Sequence, residues 1–254
     1  MSRLRTLLEK VSDRFVLERH LPAEFGGRRV CVTPGSALKY WRFDLGKIDP
    51  DLLRLVRVHV RPGAKVWDIG ANVGLFAFAA AGVVGPEGRV VAIEPDTRLV
   101  EIMRKSLRLP ENIFLRLDVL PVSVAGALGV GYFHIAARGR SANHLAVALG
   151  SSQAGGVSVS YPVVTLTLDW LLEQYGPPDL VKIDVEGAEH LVLEGGKRLL
   201  GEARPIILCE VSGHNSSFIS GLLKEYRYTL FDWEKNDDVA IAQATFNTLA
   251  LPQR

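Results

Sequence analysis

Apolar and polar residues in this chain fall into alternating blocks. AKVWDIG, ending at Gly70, is apolar without period-two alternation and reads as a strand buried on both faces. VGLFAFAAAGVVG follows as an apolar helix, and Gly85-Pro86-Glu87-Gly88 is a turn. RVVAIEP reads as a second strand. Asp96 to Leu109 reads as a helix with Leu99, Met103 and Leu107 on one face. IFLRLDV is a third strand, LTLDWLLEQYG a helix, DLVKIDV a strand, GAEHLVLEGGKRLL a helix, PIILCEV a strand and SSFISGLLKEY a helix. YTLFDW and TFNTLALP close the chain as two strands without room for a helix between them.

Strands alternating with helices predict an α/β fold, a mostly parallel sheet with right-handed crossovers. The short final linker predicts an antiparallel last strand. Upstream, RRVCVTPGSALKYWRFDLG predicts short strands around a Pro-Gly turn. DPDLLRLVRVHV predicts a helix with Asp49 as N-cap and Pro50 in its first turn. In MSRLRTLLEKVSDRF, residues Leu4, Leu7, Leu8, Val11 and Phe15 recur at helical spacing. Residues 1–60 therefore read as an N-terminal extension packed on a Rossmann-like unit over 61–254. The region from 120 to 166 reads as extra strands, with the glycine-serine tract GSSQAGG as a mobile lid or a surface insertion.

Composition narrows the function classes. Hydrophobic residues make up 48% and charged residues 23% of the 254, as in an ordinary globular protein. The net charge of +2 and the lack of a Lys/Arg block give no reason to expect a nucleic-acid partner. Cys31 and Cys209 are the only cysteines, too few for a disulfide framework, and they fit a reducing cytoplasmic compartment. The longest apolar run, Leu75 to Val84, is short of the roughly 20 residues a membrane span needs. The acid-containing N-terminus is not a signal peptide. Its helix is expected to pack on the main unit, with weak membrane-surface contact or an arm over the active site as the alternatives. A homodimer stays open.

In an open α/β sheet, ligands bind outside the carboxyl ends of the strands. Asp68, Glu94, Asp118 and Asp184 fall at predicted strand ends, and Glu210 lies near a fifth. In Asp68-Ile69-Gly70-Ala71-Asn72-Val73-Gly74 the glycines permit a tight turn and close backbone approach. A dinucleotide fingerprint needs G-x-G-x-x-G, and Asn72 breaks it. An acid aimed at the turn suits a cationic ligand better than a pyrophosphate. Glu94, before Pro95 and Asp96, offers two oxygens to a ribose diol, a role shared by NAD sites and methyltransferases. Asp118 is a candidate for the adenine amino group, or a plain surface acid.

VWDIGANVG, then VVAIEPD, then VKIDVEGAEHLVLEGG together resemble the FkbM family of S-adenosylmethionine-dependent methyltransferases. TLD at 167–169, the PIILCE strand, Asn247 and Pro252 extend the resemblance from about residue 45 to the C-terminus. It implies a class I methyltransferase fold, S-adenosylmethionine as cofactor, and O-methylation of a hydroxyl on a sugar, glycolipid or polyketide-like small molecule. It implies cofactor contacts from Asp68, Gly70, Ala71, Asn72, Gly74, Glu94, Pro95, Asp118, Asp184 and Glu186.

Methyl transfer to a hydroxyl calls for alignment and a base. Asp184, Glu210 and His214 are the candidates. Glu189, in the first turn of its helix, reads as a dipole-favoured cap, and His190 as an exposed helix residue. No dense His/Asp cluster suggests a metal, although Asp184 and Glu210 are of the type that can share Mg²⁺. Two other functions compete. An NAD(P)-dependent oxidoreductase is disfavoured by the glycine spacing and because Tyr161, Tyr175 and Tyr226 have no lysine four residues on. A non-catalytic binding module is disfavoured by the intact acids.

Overall fold

The computed structural model describes residues 15–136, 144–145 and 157–253. The expected N-terminal helix and the glycine-serine tract lie outside them, apart from Phe15 at the end of the first.

The chain enters through strand β1 (Leu17–His20), which pairs antiparallel with β2 (Arg29–Val32). Beyond the Pro-Gly turn the expected strand is absent. Two short 3-10 turns, Leu38–Trp41 and Leu45–Lys47, replace it and bury Tyr40 and Leu45. The partner of β2 lies upstream, so nothing downstream needs to extend. Helix α1 (Pro50–His59) follows. Asp49 stands at its N-cap position without capping it, because the carboxylate is taken by Lys39 Nζ at 2.6 Å.

Next come β3 (Lys65–Ile69), α2 (Leu75–Val84), β4 (Arg89–Ile93), α3 (Thr97–Leu107) and β5 (Leu117–Leu120). Helix α2 is apolar all round and mostly buried, as an all-apolar helix in water must be. Helix α3 is amphipathic, burying Leu99, Val100, Ile102 and Met103, and its N-cap Asp96 accepts from Arg98 N–H at 2.9 Å. The strand expected from Ile113 begins only at Leu117, and Ile113 and Phe114 lie exposed before it.

The chain then builds a separate small sheet of β6 (Ser123–Val124), β7 (Gly129–Ala136), β8 (His144–Leu145) and β9 (Val157–Leu166), in the order β6-β9-β7-β8. Helix α4 (Leu168–Tyr175) starts on Thr167, whose side chain accepts from Trp170 N–H. Then follow β10 (Leu180–Ile183), α5 (Glu189–Glu194), β11 (Ile206–Glu210), α6 (Ser216–Glu225), β12 (Tyr228–Asp232), β13 (Asn236–Ile241) and β14 (Asn247–Pro252). Helix α5 is interrupted at the Gly195-Gly196 pair, and helical structure resumes at Lys197 and runs as a π-helical stretch over Leu199–Ala203, past the expected Leu200.

The main sheet has the order β13-β12-β14-β11-β10-β3-β4-β5. The run from β11 to β5 is parallel, and β14 enters antiparallel between β11 and β12. A mostly parallel sheet with an antiparallel last strand is the expected class I methyltransferase arrangement. The edge strand β13 was not legible in the sequence.

Each face of the sheet carries its own core. Trp67, Ile69, Val181, Ile183 and Cys209 pack on one side with α4, α5 and α6. Val66, Leu180 and Leu208 pack on the other with α2, α3 and the segment from Leu21 to Val60. Burying each large side chain contributes about 1.5–3 kcal/mol. The segment before residue 60 is thus one wall of the space above the second face.

Candidate functional site

Side chains alternate along a strand, so residues two apart share a face. In the register of the central strands, Lys182 stands opposite Asp68 on one side and Leu208 on the other. Asp184 and Glu210, each two residues further, fall on the same face. The apolar second face therefore turns polar at its carboxyl end, through Asp68, Lys182, Asp184 and Glu210.

A cavity opens there. The turn after β3 lines it with Gly70, Ala71 and Asn72, and the end of β4 with Glu94 and Pro95. Ser123 and Val124 come from β6, Phe133 from β7, and Lys182, Asp184, Glu186 and Glu210 from β10, β11 and the loop after β10. Lys39, Tyr40, Asp49 and Leu52 close it from the N-terminal side.

The Gly70 turn is fixed by its surroundings. Gly70 and Ala71 N–H both donate to Ile93 O, at 2.9 and 3.0 Å. Gly70 has φ +77°, and a β-carbon there would lie 1.8 Å from the Asp184 carbonyl oxygen. Only glycine lets β3 and β10 approach so closely at their ends. Asn72 has a positive φ, 55°, and its side-chain oxygen receives Val73 N–H at 2.8 Å and the Ser36 hydroxyl. Glu94 ties this turn to the next: Asn72 N–H donates to Oε2 and Asp96 N–H to Oε1, both at 2.8 Å. Tyr161 Oη donates to Pro95 O at 3.0 Å and anchors the small sheet behind it.

The loop after β10 is held as firmly. Glu186 takes φ +50° and Gly187 φ +100°. Glu189 is buried, with Oε1 accepting from Gly187 N–H at 2.6 Å and Ser212 Oγ at 3.1 Å. Its Oε2 accepts from Asn215 Nδ2 at 2.6 Å, and the same amide donates to Gly187 O at 2.9 Å. Glu189 holds its expected first-turn place and, being buried, does more than cap. It fastens the Glu186 loop to the end of β11. His190 is half-buried, packing edge-on against Phe218.

Burial dominates the electrostatics. It pushes Glu94 up to about 8, opposed by the two backbone donors. Burial and the neighbouring Asp184, Glu210 and Glu189 charges push Glu186 to about 8. Burial and Asp184 push Glu210 to about 7. Burial also raises Asp68, opposed by Lys182. Lys182 Nζ lies 3.4 Å from Asp68 Oδ1 and 3.2 Å from Asp184 Oδ2. The surrounding carboxylates outweigh its desolvation and hold it charged, well above the usual lysine range.

Gly70, Ala71, Asn72, Glu94, Pro95, Asp184, Glu186 and Glu210 thus share one cavity. Gly74 is buried behind it as the N-cap of α2. Asp68 lies beneath the floor, fully buried, and neither oxygen has a hydrogen-bond partner among the described residues. Two expected residues lie elsewhere. Asp118 pairs with Val91, in the first half of β5, and accepts from Arg89 Nε at 2.7 Å. The strand ends at Leu120, so Val122 and Ser123 take the place expected of Asp118. His214 sits exposed on the Gly213–Asn215 turn, outside the cavity lining, while its neighbour Asn215 turns inward to Glu189. Sequence reasoning missed Lys182, although a lysine within the apolar strand LVKI was a visible signal. It also missed Tyr40. Among the described residues no group of three or more His, Cys, Asp or Glu is arranged to hold a metal ion.

The residues present fit S-adenosylmethionine. A turn that admits no β-carbon and an acid-lined cavity suit a cationic nucleoside. The family model described as "Methyltransferase FkbM domain" matches residues 68–238. The hexuronic acid methyltransferase AglP of Haloferax volcanii is 27% identical over 207 residues, covering 80% of this chain and 79% of that protein. The rRNA 2'-O-methyltransferase fibrillarin of Xenopus laevis is 34% identical over 88 residues, 32% of this chain and 27% of that protein. A crystal structure of an FkbM methyltransferase from Methylobacillus flagellatus superposes with TM-score 0.48 at 16% identity, covering 78% of this chain and 50% of that one.

Proposed function

Because the chain belongs to the FkbM methyltransferase family and is an S-adenosylmethionine-dependent methyltransferase, we propose that it methylates a hydroxyl of a sugar, with Glu210 as the general base. The observation that carries this reading is Glu210 itself. It is a mostly buried carboxylate on the cavity wall, held near pKa 7 by burial and by Asp184. A base that titrates near the working pH combines availability with proton affinity. The relatives named for a hexuronic acid and for a ribose 2'-oxygen support an oxygen acceptor on a sugar.

S-adenosylmethionine, when bound, supplies an electrophilic methyl group on a sulfonium. Glu94 would take the ribose hydroxyls on the lone pairs that Asn72 and Asp96 N–H leave free. Asp184 and Glu186 would complement its positive charge, while Asp68 beneath them holds Lys182, which limits the excess of acid. Glu210 receives the acceptor hydroxyl's proton as the oxygen becomes nucleophilic. Glu189 positions Glu186 through Gly187. The buried, unpaired Cys31 and Cys209 support a cytoplasmic setting, and no helix among the described residues is long and apolar enough to cross a membrane.

The test is transfer of a radiolabelled methyl group from S-adenosylmethionine to a panel of neutral hexosides and uronosides. The reading predicts an alkali-stable methyl ether. An alkali-labile methyl ester, or label on amines alone, would overturn it.

A further inference from the structure

The family match begins at residue 68, yet part of the cavity wall comes from earlier in the chain. Lys39, Tyr40, Asp49 and Leu52 face the carboxyl ends of β10 and β11 from the 3-10 turn and the start of α1. Tyr40 stands out among them. It is only 5% exposed, yet it lines the cavity. A phenol on a cavity wall offers a bound ligand both a donor and an acceptor. The ring lies within electrostatic reach of Asp49, Lys182, Asp184 and Asp68, beside the reacting end of the cavity. At the rim, Lys39 Nζ and Asp49 Oδ2 are 2.6 Å apart, with both side chains partly exposed.

We propose that Tyr40, Lys39 and Asp49 form the acceptor subsite and bind a polyhydroxylated ring, a pyranoside, beside Glu210. The inference rests on the proposed sugar hydroxyl transfer and adds the residues that select the acceptor. A ring bearing vicinal hydroxyls matches these three groups. One ring oxygen satisfies the Tyr40 hydroxyl, a second hydroxyl donates to Asp49, and a third accepts from Lys39. An apolar acceptor would offer the phenol no hydrogen bond and would cover the ion pair without replacing its water. Tyr40 belongs to the wall contributed by the segment before β3, apart from the Gly70 turn and Glu94 that face the cofactor, so the phenol serves the other ligand. Leu52 adds an apolar surface on the same wall.

The experiment uses the full chain with methyl α-D-glucopyranoside and methyl α-D-glucopyranosiduronate as probes. Binding to the S-adenosylhomocysteine-loaded protein is measured by calorimetry, and methyl transfer by radiolabel. In Tyr40→Phe and Asp49→Asn, the KM and dissociation constant for the responding probe should rise about tenfold, one hydrogen bond's worth. S-adenosylhomocysteine affinity should stay within about twofold, and kcat should change less than KM. An unchanged KM in both variants overturns the assignment. So does failure of the wild type to bind or methylate either probe while it still binds S-adenosylhomocysteine. Loss of S-adenosylhomocysteine binding in the wild type would sink the donor reading, and this inference with it.

Discussion

Lys182 Nζ lies 3.4 Å from Asp68 Oδ1, and both groups are buried in the centre of the sheet. With Asp184 on its other side, the ammonium neutralises two acids that would otherwise repel across adjacent strands. Removing one partner of such a buried arrangement costs about 3–5 kcal/mol, because the other charges stay buried. Lys182→Met should therefore lower the melting temperature by roughly 6–20 °C. The deficit should shrink at low pH, where the acids are neutral in both proteins. A variant that melts with the wild type at neutral pH would show that the acids are already protonated there.

Gly70 is the tightest point of the cofactor turn. Its positive φ and the 1.8 Å clash of any β-carbon with Asp184 O leave alanine no place. Gly70→Ala has to push β3 and β10 apart at their ends, displacing Asp184 and the turn together. Affinity for S-adenosylhomocysteine should fall at least tenfold, about 1.4 kcal/mol, in a protein whose circular dichroism stays native. Equal affinity would mean that the ligand does not use this turn.

Glu94 joins two loops through its two oxygens. Glutamine keeps one acceptor and turns an amide donor on the other N–H. Alanine keeps neither oxygen. Both variants should raise the KM for the cofactor more than they lower kcat, with Glu94→Ala the worse. A hydrogen bond to a charged group is worth about 1.5–3 kcal/mol, so the alanine effect should be roughly tenfold to a hundredfold. Normal cofactor binding in both would reduce Glu94 to a structural tie.

The raised acids also predict how the protein responds to pH. Glu94 and Glu186 titrate near 8 and Glu210 near 7 when folded, against about 4.3 unfolded. Between these values the native state holds more protons than the unfolded chain, so stability without cofactor falls as pH rises from about 5 to about 8. A bound cation, and ribose hydroxyls donated to Glu94, favour the ionised carboxylates. S-adenosylmethionine binding at pH 7 should therefore release protons. Calorimetry in phosphate and in Tris, buffers of different ionisation enthalpy, measures that release. Proton uptake would contradict it.

The alternating core was readable because β3, α2, β4, α3, α4, β10, β11 and α6 are each an apolar or amphipathic block. So was the acid-glycine pattern of the turns. Legibility failed where contacts are made at a distance. His214 looked like a base beside Glu210, but the turn points Asn215 inward and leaves the histidine in solvent. Asp118 looked like a strand end, but its register against β4 sets it beside Arg89. Glu189 looked like a cap, and only the fold brings Ser212 and Asn215 to it. Tyr40 carried no motif at all. Its place in the cavity depends on a segment that crosses the sheet from before β3, a contact that periodicity does not encode.

The central claim is hydroxyl methylation with Glu210 as base, and the pH dependence of turnover in wild type and Glu210→Gln tests it most directly. The measurement uses whichever pyranoside accepts the label. Turnover of the wild type should rise with pH through about 7, as Glu210 loses its proton. Glu210→Gln should lose that rise and about 10²–10⁴-fold in kcat, with S-adenosylhomocysteine affinity changed by far less, while His214→Ala keeps the wild-type profile. Full turnover in Glu210→Gln with the same pH profile would contradict the account.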